Sequence, residues 1–189
     1  MPYPWDIPAF PEHGDPDSGS TYKMVGYALT QWEELEYQLS HLYSLLIGKP
    51  ALIVAIREYG EPRIFADRLR NLKLTAAGFF VGRPNQKLEG DFEHLCEKIE
   101  KMADRRNEIA HGYVRIVGGI LIPIPNYKGD HPSEYGLVPP LYAHRKLDDK
   151  HRPKYIYTAN ELMQFGLAFF DLSAEALHLK LAIAHTLQP

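Results

Sequence analysis

Asp104-Arg105-Arg106-Asn107-Glu108-Ile109-Ala110-His111-Gly112-Tyr113 is the junction of this chain. A long amphipathic pattern that begins near Leu88 ends there, and a β-branched, glycine-punctuated stretch follows. At about 100° per residue, with Leu95 as zero, Leu88, Phe92, Ile99, Met102, Ile109, Ala110 and Tyr113 all fall within about 60°. This predicts a helix over Leu88 to Tyr113 with one core-facing stripe. Arg106 falls at about 20°, inside that stripe. A guanidinium keeps its charge and is seldom buried without partners, so the position calls for a buried carboxylate, a phosphate ligand or an opening in the core.

Upstream, Met24, Ala28, Trp32, Leu35, Leu39, Leu42 and Leu46 recur at steps of three and four residues. They predict a helix from Tyr22 to Leu46, capped at Ser20-Thr21 or Thr30 and ended by Gly48 and Pro50. Glu36 lies about 100° from Leu35 on that helix, at the edge of its apolar stripe. It is the carboxylate expected to partner Arg106, or else a solvated flank residue. Ala51 to Tyr59 and Arg63 to about Phe80 read as two more helices, the second with a basic side made by Arg63, Arg68, Arg70 and Lys73.

Downstream the period changes. Tyr113 to Val117 and Ile120 to Ile124, joined by Gly118-Gly119, read as a β-hairpin, with Pro123 and Pro125 restricting the second strand to an edge. Residues 126 to 136 read as loop, Leu141 to Leu147 as a third strand and Lys154 to Tyr157 as a fourth. Thr158 with Glu161 forms a capping box for a last helix running to about His185. Residues 1 to 20 carry five prolines, which predicts an extended arm; Tyr3, Trp5, Ile7 and Phe10 suit it to packing on the body or on a partner subunit. The expected architecture is mainly α, a bundle of four or five helices with a small antiparallel β element inserted at about 113–157, before the last helix. It forms a single domain over 21–189 behind the arm.

At 189 residues the chain is long enough for a core without staples, and its single cysteine, Cys96, excludes an internal disulfide. That fits a reducing cytoplasm. No apolar run approaches the roughly 18 residues of a membrane span, so no membrane partner is expected. A net charge of -3 argues against a broadly cationic nucleic-acid binder but leaves room for a local basic site. Nine histidines suggest metal, yet no zincin helix or zinc ribbon spacing occurs; no metal or other cofactor is expected. Phosphate-loop and nucleophile-elbow motifs are missing as well.

Arg106-Asn107-Glu108-Ile109-Ala110-His111-Gly112 resembles the RNxxxH signature of the HEPN superfamily (higher eukaryotes and prokaryotes nucleotide-binding), where it closes a core helix. The resemblance implies a HEPN-like bundle and a metal-independent endoribonuclease, often of a toxin or phage-defence system, with RNA as substrate, a homodimer bringing sites together, and an antitoxin or other protein as partner. Arg106, Asn107 and His111 would be its catalytic residues. The residue chemistry agrees: histidine suits proton transfer at the ribose 2′-hydroxyl or the departing oxygen, and the arginine fork suits a phosphate. On an ideal helix Arg106 and His111 diverge by about 140°, so the last turn unwinds or two subunits share the site. Arg145, Lys146, Arg152 and Lys154, near Tyr155 and Tyr157, would track an RNA backbone, or else form a solvated turn. The alternatives are a plain helix C-terminus at His111-Gly112 and an inert HEPN-like module that binds a protein or a nucleotide.

Overall fold

The computed structural model describes residues 3–48, 52–117 and 134–187. Five helices, α1 (Ser18–Ile47), α2 (Leu52–Gly60), α3 (Phe65–Gly82), α4 (Gln86–His111) and α5 (Ala159–Thr186), are joined by a small sheet placed before the last of them. Strands β1 (Tyr113–Val117) and β2 (Glu134–Val138) pair antiparallel, Tyr113 opposite Val138 and Val117 opposite Glu134. The fold is therefore mainly α with a two-stranded antiparallel sheet, as expected. Among the described residues no single helix is long and apolar enough to cross a membrane.

The chain groups into two compact units, each discontinuous in sequence. The first holds the arm, the start of α1, the end of α4, the sheet and the start of α5. Its apolar centre is Val117, Val138 and Ile156, with Phe10 of the arm and Tyr113 packed against it. The arm is thus fastened through Phe10, while Tyr3 and Ile7 stay exposed. A close approach at Gly14 seats it: a Cβ there would come within 2.8 Å of the Tyr135 carbonyl oxygen. Asp15 then bridges Tyr135 backbone to backbone, its N–H donating at 2.7 Å. The Asp15 carboxylate, 8% exposed, accepts from the Thr21 hydroxyl at 2.6 Å and from the Ala159 N–H at 2.8 Å. One acid therefore holds the start of α1 and stabilises the positive N-terminus of α5.

Several expectations are corrected here. Helix α1 begins at Ser18, inside the stretch read as arm, because Asp17 rather than Ser20-Thr21 or Thr30 caps it, accepting from the Ser20 N–H at 2.9 Å. The loop expected at 126–136 contains the start of β2, which supplies the partner of β1. The expected hairpin turn and second strand, 118–124, lie outside the described residues. Leu141 to Leu147 is no strand: it forms a turn and a short 3-10 segment, His144–Lys146. Lys154 to Tyr157 contributes a single bridge, Leu137 to Tyr157. The glutamate half of the expected capping box is present, Glu161 accepting from the Thr158 N–H at 2.8 Å and also from its hydroxyl.

The second unit is helical throughout, built from the rest of α1, α2, α3, the first part of α4 and the end of α5. Trp32 is its anchor, fully buried and meeting Phe65 and Phe169 edge to face at 4.8 and 5.1 Å. Its indole N–H donates to Glu36 at 2.9 Å. Glu36 also accepts two parallel bonds from Arg68, at 2.7 and 2.9 Å. The carboxylate expected to meet Arg106 is thus engaged by Arg68 and Trp32, because α3 brings its basic side onto the flank of α1. Cys96 lies at 0% exposure in this core, and burial raises its thiol from 9 to about 12. Burial, with Glu36 near by, raises Tyr59 as well.

Candidate active site at the C-terminal turn of α4

Through its first turns α4 repeats one pattern. Leu88, Leu95 and Met102 stand seven residues apart and are buried, with Phe92 and Ile99 four residues after the first two. Arg106 occupies the same place after Met102, yet it is only half-buried, and Ala110, expected in the stripe, is exposed. Ile109 stays buried as expected, 1% exposed, but the buried side of the helix now extends to the flank away from Arg106. On that flank Arg105, 6% exposed, and Glu108, 2% exposed, are buried beside it.

The reason lies in the segment ahead of α5. Tyr155 and Tyr157 stack at 4.7 Å and present their hydroxyls to that flank. Tyr157 donates to the Glu108 carboxylate at 2.6 Å, and Tyr155 to the Glu108 carbonyl oxygen at 3.4 Å. Arg105 Nη2 meets Glu108 Oε1 at 3.1 Å, Lys146 Nζ reaches the same oxygen at 2.8 Å, and Arg105 Nη1 donates to the Tyr157 hydroxyl at 3.4 Å. Arg105 Nε is buried without a hydrogen-bond partner among the described residues. The out-of-place arginine of the sequence is therefore Arg105 as much as Arg106. Its signal was Glu108 three residues on, an ion-pair spacing on one helix flank.

Burial, the bond to Glu108 and the charge of that carboxylate raise the Tyr157 phenol well above its usual value; burial and Glu108 raise Tyr155. With Tyr59 and Cys96 these groups keep protons that the unfolded chain sheds near pH 9 to 10. Their folded values exceed the unfolded ones, so this stabilisation is complete below about pH 9 and is lost as pH rises, by up to about 1.4 kcal/mol per group per pH unit. The melting temperature is expected to fall steeply between pH 9 and 11. A flat profile there would contradict the buried, neutral phenols.

The motif residues occupy the rest of the turn. Arg106 Nη1 donates to Asn107 Oδ1 at 3.4 Å, and Asn107 and His111, four residues apart on one face, are both exposed. The helix does not unwind before Gly112: it runs through His111, and the Gly112 N–H still donates to the Glu108 carbonyl oxygen at 2.9 Å. Of the two ways to reconcile Arg106 with His111, fraying is thereby excluded. Gly112 is required for space, since a Cβ would come within 2.8 Å of both Glu108 O and Leu137 Cγ. Gly112→Ala is expected to lower the unfolding free energy by about 1–3 kcal/mol, as overpacking does, measured by urea titration; an unchanged midpoint would refute the tight turn.

No family model, curated protein or solved structure matches this chain.

The expected RNA-tracking residues divide. Lys146 points its ammonium at Glu108, and Arg152 is held by Asp148, its Nε donating at 2.7 Å. The backbone N–H and guanidinium of Arg152, with the Lys150 N–H, keep Asp148 below the usual carboxylate range. Lys154 Nζ donates to the Arg145 carbonyl oxygen at 3.1 Å, and both residues are exposed. Two of the four cations are thus paired, Lys146 with Glu108 of α4 and Arg152 with Asp148 within the turn, leaving Arg145 and Lys154 on its surface. Among the described residues no three His, Cys, Asp or Glu side chains are grouped to hold a metal ion.

Proposed function

We propose that this chain is a metal-independent endoribonuclease of the HEPN type, working in a toxin or phage-defence setting. The observation that carries the proposal is the last turn of α4: Asn107 and His111 lie in solvent on one face, beside an Arg106 whose guanidinium contacts Asn107. In this reading a ribose 2′-oxygen attacks the adjacent phosphorus as the bond from phosphorus to the 5′-oxygen breaks, leaving a 2′,3′-cyclic phosphate. His111 takes the 2′-hydroxyl proton or protonates the departing 5′-oxygen. Arg106 binds the phosphate and stabilises the charge developing on its oxygens, and Asn107 orients the phosphate or the imidazole. Because the intact helix separates Arg106 from His111 by about 140°, the complete site takes Arg106 from one copy and His111 from another.

Purified protein incubated with total RNA in EDTA is expected to produce cyclic-phosphate ends, and Arg106→Ala and His111→Ala protein to produce them far more slowly. Intact RNA at micromolar wild-type protein would refute the proposal. A second reading, an inert helical module that binds a protein or a nucleotide, is favoured by the same unfrayed helix and by the internal neutralisation of Lys146 and Arg152.

A further inference from the structure

Helix α5 carries two apolar seams. Within the helical unit, Phe169, Leu172, Ala176, Leu179 and Ile183 form the first, and all are buried. The second is Phe170, Ala174, Leu177, Leu181 and Ala184, stepping by four and three residues in strict alternation, the heptad spacing of a helix that meets another helix. In sequence the same steps run back through Leu167 and Met163. At about 100° per residue the two seams point about 140° apart, so one helix face cannot bury both. Phe170 is 53% exposed and Leu181 55%, and Ala174 and Leu177 between them are partly exposed. A helix that serves a single core is polar on its far side; α5 is not.

We infer that this outer seam is the docking surface for a second copy of the chain, the two α5 helices packing antiparallel about a two-fold axis. The pattern is self-complementary in that orientation. With Ala174 of one copy opposite Leu177 of the other, Phe170 meets Leu181 at both ends. At the centre each Leu177 is set against the small side chain of the facing Ala174, a large group over a gap, and the Phe170 and Leu181 pairs close the contact on either side. The polar groups beside the seam agree too. Asp171 and His178, both exposed, flank the seam seven residues apart. In the antiparallel register Asp171 of each copy lies against His178 of the other, whereas a parallel pair would put them on opposite sides of the contact. The pairing stands on α5 alone and holds whether or not the chain cleaves RNA.

Sedimentation of the full chain across the micromolar range is expected to give twice the 21.6 kDa chain mass. Phe170→Lys with Leu181→Lys is expected to weaken association by about 100-fold or more, since the change removes the largest side chains of the seam from both ends of the contact and sets like charges there instead. Both residues are exposed, so the melting curve of the monomer serves as the folding control. Asp171→Lys and His178→Glu are each expected to weaken the dimer, and the double variant to restore it. Because Cys96 is buried, an oxidised mixture of Ala174→Cys and Leu177→Cys protein is expected to form the mixed disulfide in preference to either symmetric one. A wild-type monomer throughout, a dimer indifferent to the lysine variants, or preferential Ala174→Cys self-crosslinking would each overturn the inference.

Discussion

His111→Ala protein is expected to cleave RNA about 100- to 10,000-fold more slowly than wild type, the usual contribution of a positioned acid or base. It is expected to melt within a few degrees of wild type. His111 is exposed in the last turn of α4, where a cationic side chain contributes only about 0.3–1 kcal/mol through the helix dipole. Activity and stability therefore separate at this position, which a purely structural histidine would not permit. Arg106→Lys sharpens the test, since it keeps the charge and removes the planar fork; a large loss of rate with little change in folding is expected. Cleavage that persists undiminished in His111→Ala would end the assignment of this turn as the active site.

Three residues earlier the opposite outcome is expected. Glu108→Ala removes a fully enclosed carboxylate from between Arg105 and Lys146 and deprives the Tyr157 hydroxyl of its acceptor. Lys146 can turn to water, but Arg105 cannot, and its stranded charge costs about 3–5 kcal/mol. That is a large share of the roughly 5–15 kcal/mol that holds a domain folded. Urea unfolding is the measurement, and a loss below about 1 kcal/mol would show that the cluster is not sealed. Arg105→Met with Glu108→Leu is expected to recover most of the loss, because the double change removes both charges together.

Helices were legible because their burial follows a short period: Trp32, Leu35, Leu39 and Leu42 declare α1 without knowledge of what they touch. The pairing of Thr158 with Glu161 is equally readable, since the two residues lie within one turn. Strand pairing was not. The partner of β1 begins with Glu134, Tyr135 and Gly136, a poor strand signature, and it is chosen by the register across the sheet rather than by neighbours in sequence. The start of α1 was hidden by Pro16 and Gly19, which argue against a helix until Asp17 is recognised as its cap. At the candidate site, motif spacing picks out Arg106, Asn107 and His111 as candidates. It could not distinguish Arg105 from Arg106 as the buried arginine, because the buried side of α4 extends to the Arg105 flank only where the tyrosines ahead of α5 meet it.

The Asp15 carboxylate sets an order of events during synthesis. Its acceptor sites are filled by Thr21, six residues away, and by the Ala159 N–H, 144 residues away. At ribosomal speeds of about 5–20 residues per second, the second partner emerges roughly 7 to 30 seconds after the first. Phe10 and the Asp15 backbone can already find Val138 and Tyr135 by then, but the Asp15 carboxylate holds only the start of α1 until the start of α5 has left the ribosome.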